Sequence, residues 1–473
     1  MSQTDVLIIG GGISGLSLAW WLTQLGVGVE VWEADERVGG KIKSTRQDGY
    51  LTERAAAMVM NFRPEVVELV QATGLENLKT TRSPEAESRR YLLNNGQLTA
   101  LPMRMGAMIA SPLWSLRGKL RLLAEPFISA GEPDNESVSQ FIIRRLGNEM
   151  LEKAMEPFIA GTLASDPDKA NAAACLPRLT ALEKRFGSIT AGVLVNRLLR
   201  RRTACVTDTF SFNGGMNTLV NTLAQAPGVN LHTGYKADEL VKKGNRWQVT
   251  ASTSEGQYSL LAKHVVLTVP APIAASLVSP TDHELKSLLE DIRYAPVTVL
   301  HMGFDRNAIK HPLDGVGFLV PRQERLPMTG NLWMSTLFPD RAPIGKVLLT
   351  TYLGGARTPE VAEWNDETTT DKIFDSLRKL IGLKANPEMI RIDRHQEALP
   401  LYYGAYQQRV RAISHCLQKH KGLHIGANYI DGVSVRDRIA CARTTARHIA
   451  RSLDTKTTDI SHMPASIIPR YSG

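Results

Sequence analysis

The chain has 473 residues, and at about 100 to 200 residues per domain that length predicts about three structural units. Hydrophobic residues make up 43% and charged residues 22%, the balance of a globular chain with a large core, which excludes a disordered or fibrous protein. Lys plus Arg (56) exceed Asp plus Glu (47), and the resulting +9 suits an acidic partner without choosing among nucleic acid, anionic lipid and a carboxylated small molecule.

Residues 6 to 29 contain no charged side chain, a stretch long enough to span a bilayer. Its internal order predicts something else: a β-branched strand, a break at Gly10-Gly11-Gly12, and then a helix. A signal sequence would carry positive charge ahead of the apolar run, and the first basic residue, Arg37, comes only after it. The glycines fall as Gly10-x-Gly12-x-x-Gly15, the dinucleotide fingerprint. Gly10 permits the tight turn, Gly12 lets backbone approach a pyrophosphate, and Gly15 lets the helix pack on the strand. The helix opens with Ile13 and Ser14, and its free N–H groups suit phosphate oxygens. A second strand then ends in Glu33, 23 residues after Gly10, where a carboxylate accepts hydrogen bonds from ribose hydroxyls and disfavours a 2′-phosphate.

The following segment, Glu33-Ala34-Asp35-Glu36-Arg37-Val38-Gly39-Gly40-Lys41, resembles the one that follows the ribose acid in flavoproteins of the amine oxidase and protoporphyrinogen oxidase superfamily. The resemblance implies FAD, with Gly39 and Gly40 beside the diphosphate and Arg37 near it. Lys41 stands where the superfamily often has Arg. Further along, Glu53 is followed by Arg54-Ala55-Ala56-Ala57-Met58 where the family usually has Gly-Pro, so extra methyl groups face the flavin side.

Apolar spacing predicts a helix over 65 to 74 ending at Gly74, and Asn94-Asn95-Gly96 between two apolar runs predicts a hairpin. Residues 103 to 205 are rich in Leu, Ala, Arg and Met and read as helical. Strands are expected around 229 to 232, 247 to 251, 264 to 269, 297 to 304, 317 to 320, 347 to 353 and 423 to 425. No second Gly-x-Gly-x-x-Gly follows a strand, so a separate NADPH domain is not expected and electrons would leave to oxygen, a quinone or another small acceptor.

In series, Phe210-Ser211-Phe212-Asn213-Gly214-Gly215, Gly317-Phe318-Leu319-Val320-Pro321, Tyr352-Leu353-Gly354-Gly355, Gly426-Ala427-Asn428-Tyr429 and Gly432-Val433-Ser434-Val435 resemble the protoporphyrinogen oxidase family in its own order. That resemblance implies an α/β fold: a Rossmann-like, two-dinucleotide-binding FAD domain, a mixed-sheet α+β substrate domain and a helical membrane-associating insert. The FAD domain would comprise 1–75, 206–280 and 395–455, the substrate domain 76–102 and 281–394, and the insert 103–205, with a loose tail at 456–473. Ala237, Gly426, Val433, Ser434 and Val435 would join the FAD contacts. The closing motif commonly carries Asp-Cys; here it is Asp437-Arg438.

The resemblance also implies the substrate site. Arg90, just before Tyr91, would hold a propionate through a bidentate fork; the bland reading is a surface ion pair with an acid such as Glu87. Gly161 would let backbone approach a tetrapyrrole, and Leu319, Leu332 and Tyr352 would clamp the macrocycle, or else simply fill strand core. The implied activity is FAD-dependent oxidation of protoporphyrinogen IX to protoporphyrin IX in haem biosynthesis, with molecular oxygen as acceptor. Another superfamily enzyme, an amine oxidase or a carotenoid or squalene-type desaturase, is the alternative, and a non-catalytic flavin-binding scaffold is a third reading. No general base is assigned among the eleven histidines. Cys175, Cys205, Cys416 and Cys441 lack metal-cage spacing, so no metal is expected and a cytoplasmic location is, with room for a peripheral membrane contact and a homodimer. The basic residues of 103 to 121 suit lipid headgroups, whereas Arg200-Arg201-Arg202 reads as a solvated turn. The charge is otherwise dispersed without a recognition module, which argues against nucleic acid.

Overall fold

The computed structural model describes residues 2–101, 111, 113–132, 135–199 and 208–453. Residues 103–110, the Arg200 to Arg202 run, Cys205 and the tail lie outside the described residues.

The nucleotide fingerprint opens a seven-stranded sheet. Strand Ser2–Ile9 pairs in parallel with Val29–Trp32 on one side and with the end of Gly256–Leu267 on the other. Val229–His232 extends the sheet in parallel beyond Val29–Trp32, and Leu423–Ile425 pairs in parallel with Val265 to Leu267. Arg246–Thr253 and Lys236–Lys243 complete it as an antiparallel meander. Its central strands read as continuous apolar runs because both faces are covered. Helix Ile13–Gln24 is buried from Gly15 to Leu22. It lies between the sheet and the distant helix Val435–Ser452, and Trp21 Nε1 donates to Ile439 O at 3.2 Å across that contact.

A second seven-stranded sheet runs in the order Met389–Pro400, Tyr294–Asp305, Lys346–Gly354, Met328–Trp333, Gly317–Leu319, Tyr91–Asn94, Gln97–Ala100. All its pairs are antiparallel except Gly317–Leu319 with Tyr91–Asn94. The amphipathic helix Asp366–Ile381 buries Ile373, Leu377 and Ile381 in the core on one side of this sheet. The other side faces the first sheet's ligand edge.

Between 113 and 199 the regular elements among the described residues are all helices. Helix Glu156–Leu163 packs on Met328–Trp333 and Gly317–Leu319, which brings the helical unit against the second sheet. The unit is pinned by buried charge. Arg145 is fully buried and pairs with Glu125 at 2.6 Å, while its Nη1 and Nη2 donate to Ile128 O and Gly187 O. Glu125 in turn accepts from Ser188 Oγ, Ile189 N and Thr190 N, so one carboxylate caps the helix that follows. Such a pair costs desolvation, and it fixes a specific packing because breaking it would strand a buried charge.

Candidate active site

The two sheets and helix Glu156–Leu163 enclose a connected cleft of about 4440 Å³. Ordinary small-molecule pockets run to about 300–1,000 Å³, so this space fits a dinucleotide together with a second large molecule.

At one end lie the fingerprint glycines. Gly10 has φ +110°, conformational territory that L side chains rarely occupy. A Cβ on Gly15 would stand 2.0 Å from Gly10 O, whereas a Cβ on Gly12 would meet no protein atom within 4 Å. Gly15 is therefore fixed by helix packing, and Gly12 borders open cleft. Gly12 is also the N-cap of helix Ile13–Gln24, with no side chain capping the free N–H groups, so the helix end is left to an anion. Gly39 bridges to Gly12 and donates its N–H to Gly11 O at 2.8 Å, holding the Gly39-Gly40 doublet over the phosphate end. The Glu33 carboxylate ends its strand with Oε2 accepting from Gly11 N at 2.6 Å and Oε1 from Asp35 N at 3.0 Å.

Ile13, Ser14, Ala34, Gly40, Lys41, Ala55, Ala56, Ala57, Met58, Ala237, Val433, Ser434 and Val435 also line the cleft. The Lys41 ammonium donates to Glu397 O and, at 2.7 Å, to Ala398 O; burial lowers its pKa to about 8. Two expectations differ. Arg37 does not line the cleft, because its guanidinium is spent on the carbonyls of Val38, Gly40 and Ile42 and shapes the loop from below. Gly426 borders a separate pocket of about 30 Å³, shared with Ser14 and Cys441, which is room for one water.

At the other end, strand register puts Leu319, Leu332 and Tyr352 on one face. Leu319 pairs with Gly330, Gly330 with Tyr352 and Tyr352 with Val299, forming one row across the sheet. Leu332 opposes Thr350 in the next row. Gly330 leaves the space between Leu319 and Tyr352 open. Gly161 faces this row from the helix, where an added Cβ would come within 2.7 Å of Leu319 Cδ2. All four residues and Arg90 line the cleft. The anticipated Arg90–Glu87 ion pair is not formed: Glu87 binds Arg82 at 3.2 Å, and Asp314 binds Arg89 and Tyr91. Among the described residues the Arg90 guanidinium has no hydrogen-bond or ion-pair partner.

Sequence reasoning missed Val297, Val299, His395 and Tyr402, which also line the cleft. The alternation of Val297 and Val299 marked a one-sided strand face, but nothing in it distinguished cleft from core. His395 Nε2 contacts Arg54 O at 2.9 Å, and burial lowers its pKa. Beneath the cleft floor, Glu53 accepts from Met216 N at 2.9 Å and Ser44 Oγ at 2.7 Å.

Such a site, an uncapped helix end with an open glycine and a ribose-side carboxylate joined to an apolar chamber, is that of a flavin-dependent oxidoreductase. The family model for flavin containing amine oxidoreductase matches residues 13–450, and the chain belongs to that family. Within it, the chain is 30% identical to protoporphyrinogen oxidase 2, chloroplastic/mitochondrial, of Arabidopsis thaliana, over 97% of this chain and 96% of that protein. It is 27% identical to coproporphyrinogen III oxidase of Bacillus subtilis (strain 168), over 92% of this chain and 96% of the relative. A crystal structure from Exiguobacterium sp. 255-15 shares the fold with a TM-score of 0.80 at 22% identity, covering 96% of this chain and 100% of that one. The chain is an FAD-dependent oxidoreductase.

Proposed function

We propose that the protein oxidises protoporphyrinogen IX to protoporphyrin IX in haem biosynthesis, with molecular oxygen taking the electrons. FAD, when bound, supplies hydride acceptance. Gly12, the helix end behind it and Glu33 would hold its diphosphate and ribose, with Lys41, the Ala55 to Met58 run, Ala237 and Val433 to Val435 around the remainder. The chain's own work is binding and orientation. Arg90 would pair with a substrate propionate, Leu319, Leu332 and Tyr352 would support one face of the macrocycle, and Gly161 would admit its edge. The apolar lining excludes water from the reacting carbon.

The single observation carrying this reading is Arg90, without a side-chain partner among the described residues, beside an apolar chamber that continues into the dinucleotide end. An amine substrate would call for an acceptor rather than a fixed cation at that position. Purified holoprotein under air is expected to convert protoporphyrinogen IX to a fluorescent porphyrin faster than the spontaneous rate; no excess rate would overturn the proposal. Coproporphyrinogen III, offered in parallel, distinguishes the two activities that the relatives' names carry.

The helical unit supports a surface contact with membrane. Leu116, Leu120 and Leu123 recur along one face of helix Leu116–Leu123 and are 75%, 59% and 60% exposed, with Phe127 at 88% beside them. Arg117 and Lys119 lie on the same helix, giving an apolar face with basic flanks suited to anionic headgroups. Among the described residues no helix is long and apolar enough to cross a membrane. Co-flotation with anionic vesicles, weakened by Phe127→Asp, tests this contact.

A further inference from the structure

Away from the cleft, two helices bring four ligand-type side chains together. Asp282 is the N-cap of helix His283–Glu290, and Glu284 lies in its first turn. Cys416 lies in the last turns of helix Tyr406–Lys419, and His420 is the C-cap of that helix. The i, i+4 spacing of Cys416 and His420 places both on one face. The donor atoms of Asp282, Glu284 and Cys416 all lie within 4.8 Å of one another, and His420 Nε2 is 2.7 Å from Asp282 Oδ2. None of the four lines the cleft.

We propose that Asp282, Glu284, Cys416 and His420 form a structural binding site for one zinc-class divalent cation. An ordinary helix cap with surface ion pairs explains three of the four residues. Asp282 accepts from Leu285 N at 2.9 Å and binds His420, and Glu284 pairs with Lys419 at 3.0 Å. It does not explain Cys416, a fully buried thiol whose Sγ meets Glu284 rather than only apolar neighbours. Thiolate, imidazole and carboxylate together form a donor set for zinc-like ions, whereas calcium and magnesium select oxygen alone.

Charge also balances. Three anionic donors around a dication leave one negative charge, which Lys419 and the N-terminus of helix His283–Glu290 offset. Zinc-to-ligand distances of about 2.0–2.3 Å imply donor separations of about 3.3–3.7 Å, so Asp282, Glu284 and Cys416 contract by roughly 1 Å on binding while His420 swings in from its bond to Asp282. Exposed Glu284 can supply that movement. On binding, a metal–sulfur bond replaces the Cys416 S–H bond, the proton passes to buffer, and waters leave the ion without any change of oxidation state. The bound ion ties together two helices that cover the outer face of the nucleotide sheet.

The test uses FAD-loaded full chain freed of metal with a chelator, then titrated with Zn²⁺ alone by calorimetry in two buffers. One equivalent should bind with release of a proton. Co²⁺ should give tetrahedral ligand-field bands at wavelengths beyond flavin absorption. Cys416→Ser should weaken Zn²⁺ binding by at least about tenfold, and Glu284→Gln, a surface change that spares the core, should weaken it in the same direction. The absence of stoichiometric binding, or binding that neither variant alters, would overturn the site. An ion held instead by the neighbouring His264 and His424 pair, which stand 3.0 Å apart, would appear as this second outcome.

Discussion

The Glu53 carboxylate and the Arg341 guanidinium stand 3.8 Å apart with side-chain exposures of 1% and 0%. Burial raises the Glu53 pKa to about 7 despite donation from Met216 N and Ser44 and the nearby charge of Arg341; burial also lowers the pKa of Arg341. Between the ordinary carboxylate range and pH 7 the folded state therefore holds a proton that the unfolded chain has released. Stability from this group falls as pH rises through that window. Glu53→Gln is expected to flatten the slope, read as the variant-minus-wild-type difference in urea midpoint between pH 5 and pH 7.5. Parallel profiles would refute it. Arg341→Met should cost about 3–5 kcal/mol once Glu53 is ionised, and less at pH 5.

Arg90 should affect substrate binding before chemistry. Loss of a charge-assisted hydrogen bond costs about 1.5–3 kcal/mol, so Arg90→Ala should raise KM about 10- to 100-fold with kcat nearly unchanged. Arg90→Lys should recover only part, because an ammonium lacks the fork. Steady-state porphyrin fluorescence decides, and a fall in kcat at unchanged KM would contradict the role.

Two glycines separate packing from function. Gly15→Ala forces a Cβ to within 2.0 Å of backbone Gly10 O, so the variant should be recovered without flavin absorbance or fail to accumulate. In Gly161→Ala the close atom is the mobile end of Leu319 at 2.7 Å, so melting temperature should change little while turnover falls severalfold. Equal thermal loss in both would contradict the distinction.

Lys41 should couple flavin binding to pH. Two of its three donors are engaged by Glu397 O and Ala398 O, and its pKa stands at about 8. The dianionic FAD, held in the cleft that Lys41 lines, would favour the charged ammonium, so FAD binding should take up a proton and affinity should fall as pH rises through about 8. Lys41→Met should remove that dependence in titrations of apoprotein with FAD.

The nucleotide end was legible because local order and chemistry coincide there: one strand, three spaced glycines, a helix and an acid occur within 33 residues. The strand expectations at 229 to 232, 297 to 304 and 423 to 425 correspond to Val229–His232, Tyr294–Asp305 and Leu423–Ile425. Strand Met389–Pro400 was not anticipated, since Arg391, Asp393, Arg394 and His395 hide its alternation; it is stabilised by neighbours rather than by its own apolar pattern. The orientation of Arg37 was hidden for a related reason: a guanidinium on a loop can satisfy that loop's own carbonyls, and spacing does not reveal which way it turns. The Asp282–Cys416 convergence joins positions 134 apart and has no local signature at all.

The contact between Trp21 and Ile439 joins residues 418 positions apart. At about 5–20 residues per second, synthesis of the intervening chain takes on the order of 20 to 80 seconds. Throughout that interval the emerging first helix lacks the partner that covers it, and its tryptophans stay open to chaperones or to misassociation. Completion of the nucleotide domain accordingly waits on the last helix, and its loss is expected to leave a colourless protein even with every fingerprint glycine intact.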